Sequence, residues 1–201
     1  MCRWYSFNFN ISWDAQERPK TWVDIFIIDT IVREVILQKK SEILLWRIHR
    51  RWARDVHGHE LTFDCFTNEE AASEVEKTIR DSHAFEVLHE RGGLVNGLKV
   101  IPGETDTRGL TYKENWPESL KKAWPYYING CCEMFLHLID ALRGGNNVPA
   151  DISEAEQYYT RVNNELVQIW QHYGSDSFFH HVSGIFGYEP LYAQPRTLLV
   201  F

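Results

Sequence analysis

The chain opens on a strict alternation. In residues 4–12, Tyr5, Phe7, Phe9 and Ile11 fall on one side, and Ser6, Asn8 and Asn10 fall on the other. That period of two predicts a half-buried strand. The period then changes. Pro19 suits a first helical turn, and from Trp22 to Lys40 the apolar positions Val23, Phe26, Ile27, Thr30, Ile31 and Leu37 follow helical spacing. Residues 43–53 read as a second strand with Leu44, Trp46 and Ile48 as its core set, followed by a turn at Asp55–Gly58. From His59 to Phe66 alternation returns: Leu61, Phe63 and Cys65 oppose Glu60, Thr62 and Asp64. Thr67 and Glu70 have the spacing of a capping box with Thr67 as N-cap. The helix it opens turns Ala71, Ala72, Val75 and Ile79 inward, and Leu94 to Ile101 supplies a fourth strand.

The order is βαββαβ, two split βαβ halves, which predicts an α+β fold of the ferredoxin-like kind. Right-handed crossovers place both helices on one face of a four-stranded antiparallel sheet. After Ile101 the pattern changes character. Residues 102–115 are loop-like, and the rest reads helical: Asn115 as the cap of a helix from Trp116 that Trp124-Pro125 kinks or divides, running through Leu142 to a stop at Gly144. Ser153 opens a further helix to about Tyr173, and a last one runs from Ser177 to Phe186. The expected organisation is a ferredoxin-like half, 1–101, with a helical extension, 102–201, packed on it as one compact domain.

Composition narrows the function. Aromatic residues make up 14% of 201 positions, enough apolar surface to offset the ordering entropy that keeps polar chains unfolded. The net charge of −7 leaves no broad basic footprint, so no nucleic-acid partner is expected. The N-terminus lacks an apolar signal core, and the longest apolar stretch, Trp22 to Leu37, is broken by Asp24, Asp29, Arg33 and Glu34. No membrane partner is expected, and cytoplasm is the default compartment. Four cysteines, two of them adjacent on a helix at Cys131-Cys132, form no disulfide framework. Without a P-loop, GxGxxG or GxSxG motif no cofactor is expected. His49, His57 and His59 have no acidic or Cys partner at a recognised ligand spacing, so no metal is expected.

Charge is unevenly placed. Residues 1–101 hold 14 basic against 16 acidic side chains, residues 102–201 hold 7 against 12, and Arg47, Arg50, Arg51 and Arg54 fall within eight residues. The sheet face turned away from its helices should carry Ser6, Asn8, Asn10, Leu45, Arg47, His49, Arg51, Glu60, Thr62 and Asp64. Two readings follow. In one, Arg47 and Arg51 clamp an anionic group, His49 acts as acid or base, and Asn8, Asn10 and Asp64 orient the ligand beneath the C-terminal helices. In the other, the arginines pair with Glu60 and Asp64 across the hairpin. The face also suits pairing with a second copy of the chain, a dimerisation or interaction module without chemistry.

The segment Leu44 to Phe66, LLWRIHRRWARDVHGHELTFDCF, resembles the hairpin of the thiopeptide-type bacteriocin biosynthesis domain, the small C-terminal elimination domain of class I lantibiotic dehydratases. The likeness covers residues 3 to about 90 and extends more loosely over the helices to 142. It implies a protein that tailors or binds a peptide-derived natural product. In that family arginines and histidines act on glutamylated Ser or Thr, releasing glutamate to leave a dehydroamino acid. Arg47 or Arg50 would match the first-strand arginine, and His59 the start of the second strand. The family's further arginine on that strand is replaced here by Thr62 and Asp64.

Overall fold

A computed structural model describes residues 1–14, 16, 19–51, 58–106, 115–145, 149 and 151–188. Four strands, β1 (Arg3–Ile11), β2 (Leu45–Arg50), β3 (Glu60–Thr67) and β4 (Leu94–Pro102), form one antiparallel sheet in the order β2-β3-β1-β4. With α1 (Thr21–Ile27) and α2 (Arg33–Lys39) between β1 and β2, and α3 (Glu69–Asp81) and α4 (His83–Glu90) between β3 and β4, this is the ferredoxin-like arrangement. The expected turn at Asp55–Gly58 falls, but for Gly58, outside the described residues. Among the described residues no helix is long and apolar enough to cross a membrane.

The strand alternation assigns the core. Phe7, Phe9, Leu61 and Phe63 are wholly buried, and the Phe7 and Phe63 rings stack at 5.9 Å between centroids. Each such side chain contributes about 1.5–3 kcal/mol of transfer free energy. Cross-strand register puts Trp46 and Ile48 on this same face. Leu44 is not part of it. It lies just before β2, in the lead-in where the strand alternation has not begun, and is exposed.

Between β1 and β2 the helix is longer and less regular than its spacing suggests. A π turn, Ile28–Val32, joins α1 to α2 and takes up an extra residue. The buried stripe therefore continues from Val32, the last residue of the turn, to Val35, and Leu37 faces solvent. Two capping expectations also shift. Thr67 remains in β3, where its hydroxyl donates to the Glu42 carbonyl at 2.8 Å; Asn68 is the N-cap of α3, accepting from Ala71 N–H at 2.9 Å. Thr67 is fully buried at the end of a strand, and only the next residue can turn its side chain back on the helix.

The second half is two long helices. α5 (Glu118–Arg143) contains Pro125 and is preceded by Pro117, so Asn115 does not cap it; Gly144 closes it in the left-handed conformation at φ 60°. α6 (Ile152–Tyr173) is capped by Asp151, which accepts from Ser153 and Glu154 N–H. A second π turn, Gly174–Phe179, carries it into α7 (His180–Ile185). α6 lies on α1, and α5 lies along the outer edge of β2 and against α6. Edge strands expose unpaired amides that invite association. Here Asn129 Oδ1 accepts from Trp46 N–H at 2.7 Å and Cys132 Sγ from Ile48 N–H at 3.3 Å.

Candidate functional site

The sheet face turned away from α1–α4 is built in rungs, each taking one residue from β1, β3 and β2. The first is apolar: Trp4, Phe66 and Leu45, all buried, with the Trp4 and Phe66 rings 5.5 Å apart. Ser6, Asp64 and Arg47 make the second. Asp64 is 2% exposed; Arg47 Nε donates to its Oδ2 at 2.6 Å and the Ser6 hydroxyl to its Oδ1. The Arg47 guanidinium also lies 5.7 Å from the Trp4 ring centre, within cation–π range. Asn8, Thr62 and His49 form the third rung, with Lys99 of β4 beside Asn8. Asn10 and Glu60 begin the fourth, which Arg51 completes through its amide bond to the Glu60 carbonyl at 2.8 Å and its Nε contact to Glu60 Oε1 at 3.2 Å.

Six of the expected site residues, Asn8, Asn10, Arg47, His49, Arg51 and Asp64, thus share one face. Both cross-hairpin ion pairs are made: Arg47 to Asp64 and Arg51 to Glu60. The central rung lies between them and carries no carboxylate. Its His49 has a pKa lowered from the ordinary histidine value, first by loss of hydration and then by the charges of Arg51 and Arg47. A neutral imidazole at physiological pH follows, able to accept as well as donate. Asn8 Oδ1 is shielded from solvent with no hydrogen-bond partner among the described residues. A buried acceptor left unpaired costs about 1–3 kcal/mol, so a donor brought to it is favoured. α5 and α6 do not lie over this rung: α5 reaches β2 from its open edge, and α6 sits on the opposite layer.

His59 is elsewhere. It directly precedes Glu60 and so points to the helical side of the sheet, where its Nε2 meets Asp24 Oδ1 at 2.9 Å with both groups buried. Arg50 faces the same way. Its Nε lies 3.1 Å from Asp24 Oδ2, and its Nη2 donates to Asn163 Oδ1 at 2.9 Å and to the Thr21 carbonyl at 3.3 Å. One carboxylate from α1 therefore joins β2, β3 and α6. A second, Asp29 in the π turn, joins α2, α5 and α6: it accepts from Arg33 at 2.8 Å, Arg143 at 3.3 Å and the Tyr159 hydroxyl at 2.8 Å. Burial and Asp29 raise the Tyr159 pKa, which keeps it a donor. The visible signal for both nodes was an acidic residue interrupting an apolar helix, at Asp24 and Asp29. The partners Asn163, Arg143 and Tyr159 lie more than a hundred residues away and carried no local sign.

The buried thiols offer no nucleophile. Burial raises the Cys65 pKa and pushes Cys132 up to about 11, so neither is a thiolate at neutral pH. Among the described residues no group of three or more His, Cys, Asp or Glu is placed to hold a metal.

No family model matches the chain, and no curated protein does. Two solved structures are similar to part of it. One is the crystal structure of a dimeric ferredoxin-like protein from an uncultured marine organism, 9% identical, covering 51% of this chain and 91% of that one, with a TM-score of 0.34. The other is the solution NMR structure of a de novo designed protein with a ferredoxin fold, 17% identical, covering 59% of this chain and 99% of that one, also with a TM-score of 0.34.

Proposed function

We propose that this chain binds, and through His49 tailors, a peptide-derived ligand laid across the central rung of the sheet face. The observation that carries the reading is the pairing of a buried, unsatisfied Asn8 acceptor with a neutral-leaning His49 on one rung, two strands apart. Two strand spacings amount to roughly 10 Å, and an extended chain covers that in about three residues. An amide or hydroxyl donor satisfies Asn8, while His49 takes or returns a proton at the far end. Arg47 and Arg51, bonded to Asp64 and Glu60, add their charge to the loss of hydration that keeps His49 neutral. His59 and Arg50 belong to the other face and have no part in this site.

The resemblance to the elimination domain supplies the probes. Short Ser- or Thr-containing peptides, free and as glutamyl esters, are titrated against labelled protein while the Asn8 amide and His49 ring resonances are followed. Shifts at both residues, lost in Asn8→Ala and His49→Ala, support the reading. Millimolar peptide of either kind that moves neither residue overturns it. So does a tight dimer, seen by sedimentation, whose contact covers the rung.

A further inference from the structure

We propose a second ligand site, on the far side of the sheet, for a small amphiphile of about ten non-hydrogen atoms in all, one carboxylate head on an apolar body. A cavity of ≈ 250 Å³ opens between α5 and α6, walled by Phe135 and Leu138 of α5, Leu166 and Trp170 of α6, and Phe178 of the second π turn. Trp170 and Phe178 stack nearly parallel, 5.9 Å between ring centres, and make one flat wall. Gly174 permits it, since a Cβ there would stand 3.1 Å from the indole.

Arg50 is the one charged side chain among the described lining residues. Asp24, Thr21 and Asn163 engage its Nε and Nη2, while its Nη1 takes no acceptor among the described residues. Those partners hold the guanidinium fixed, and a planar fork held in place with a donor to spare is the group that recognises a carboxylate. An apolar chamber with a single convergent cation selects an acidic head and an apolar tail. Size follows from the scale on which a dry cavity of about 150 Å³ admits benzene. By that measure ≈ 250 Å³ holds roughly ten heavy atoms, the size of octanoate.

The test is calorimetric titration with octanoate and with 1-octanol, which has nearly the same body and no charge. Single-site binding of octanoate, with octanol at least tenfold weaker, is expected. Val167→Trp, at an exposed lining position of α6, fills the chamber and should abolish octanoate binding while leaving the thermal midpoint nearly unchanged. Equal binding of the two compounds overturns the role of Arg50. Binding that survives Val167→Trp overturns the location, and absence of octanoate binding overturns the site itself. No variant at Arg50 is needed, and a result here is independent of the peptide titration at Asn8 and His49.

Discussion

The two faces of the sheet each hold an aspartate that is 2% exposed and bound to an arginine of β2, and the two pairs do opposite work. Asp64 and Arg47 sit side by side on neighbouring strands, so their bond reinforces a contact the backbone ladder already makes. Asp24 comes from α1 and reaches Arg50 on β2 and His59 beside β3, while Arg50 goes on to Asn163 of α6. Its bonds join layers that have no ladder between them. The lesson is that burial alone does not rank ion pairs. What matters is whether the groups left behind have another route to a partner or to water. Arg47 keeps the Trp4 ring within cation–π range, whereas His59 is enclosed and its Nδ1 has no partner among the described residues.

The sharpest way to break this comparison is to delete both carboxylates. Removing one partner of a buried pair generally costs about 3–5 kcal/mol, because the other charge stays behind. Asp24→Ala should reach the upper part of that range, since it strands Arg50 and His59 together. Asp64→Ala should stay at or below about 3 kcal/mol, as Arg47 keeps its contact with the Trp4 ring and no histidine is stranded with it. Urea denaturation of the two variants decides it, and equal losses would dissolve the distinction. Tyr159→Phe probes the neighbouring node, Asp29 in the π turn, with less damage. It removes one hydrogen bond to the buried Asp29 while Arg33 and Arg143 remain, so a loss of about 2 kcal/mol is expected.

A smaller effect separates the covered edge from both faces. Asn129→Ala leaves the Trp46 amide without its acceptor at the open side of β2. About 1 kcal/mol of stability should be lost, with faster hydrogen exchange at Trp46 and little change at the paired amides of Arg47 and His49. Uniform exchange along β2 would mean that α5 shields the strand by packing alone.

How much of this was legible in the sequence follows the same division. The sheet faces were readable because alternation is local: short runs of β1, β2 and β3 suffice to place Asn8, Arg47, His49 and Asp64 together. The ion pairs of the hairpin were one of two open readings, since register fixes which side chains meet but not whether a ligand replaces one of them. The helical side was not readable. Asp24 and Asp29 look like interruptions of an apolar helix until α6 arrives from 130 residues away to bury them, and only then does each become a junction. His59 was assigned to the ligand site through the resemblance, although its own place in the alternation, one residue before Glu60, turns it to the opposite face. The π turn at Ile28–Val32 left no trace in the spacing, which Leu37 follows, although the extra residue turns Leu37 to solvent.

The smallest expected effect bears most directly on the proposed site. The folded-state pKa of His49 lies below its ordinary value of about 6.5. A depressed pKa means the fold prefers the neutral ring. The associated stability is therefore complete above about pH 6.5 and is lost as pH falls through the lower folded value. His49→Gln, which never charges, should match the wild type at pH 7.5 and become the more stable of the two below pH 5. Urea curves across that range give the comparison. Salt then separates the causes: at 1 M the screening length falls to about 3 Å, which removes much of the contribution of Arg51 and Arg47 but not the loss of hydration. Since lost hydration is the leading cause, the acid-side gap between variant and wild type should narrow in salt without closing. A gap that closes completely would assign the shift to the arginines alone and would leave the hydration of His49 intact beside the shielded Asn8 acceptor.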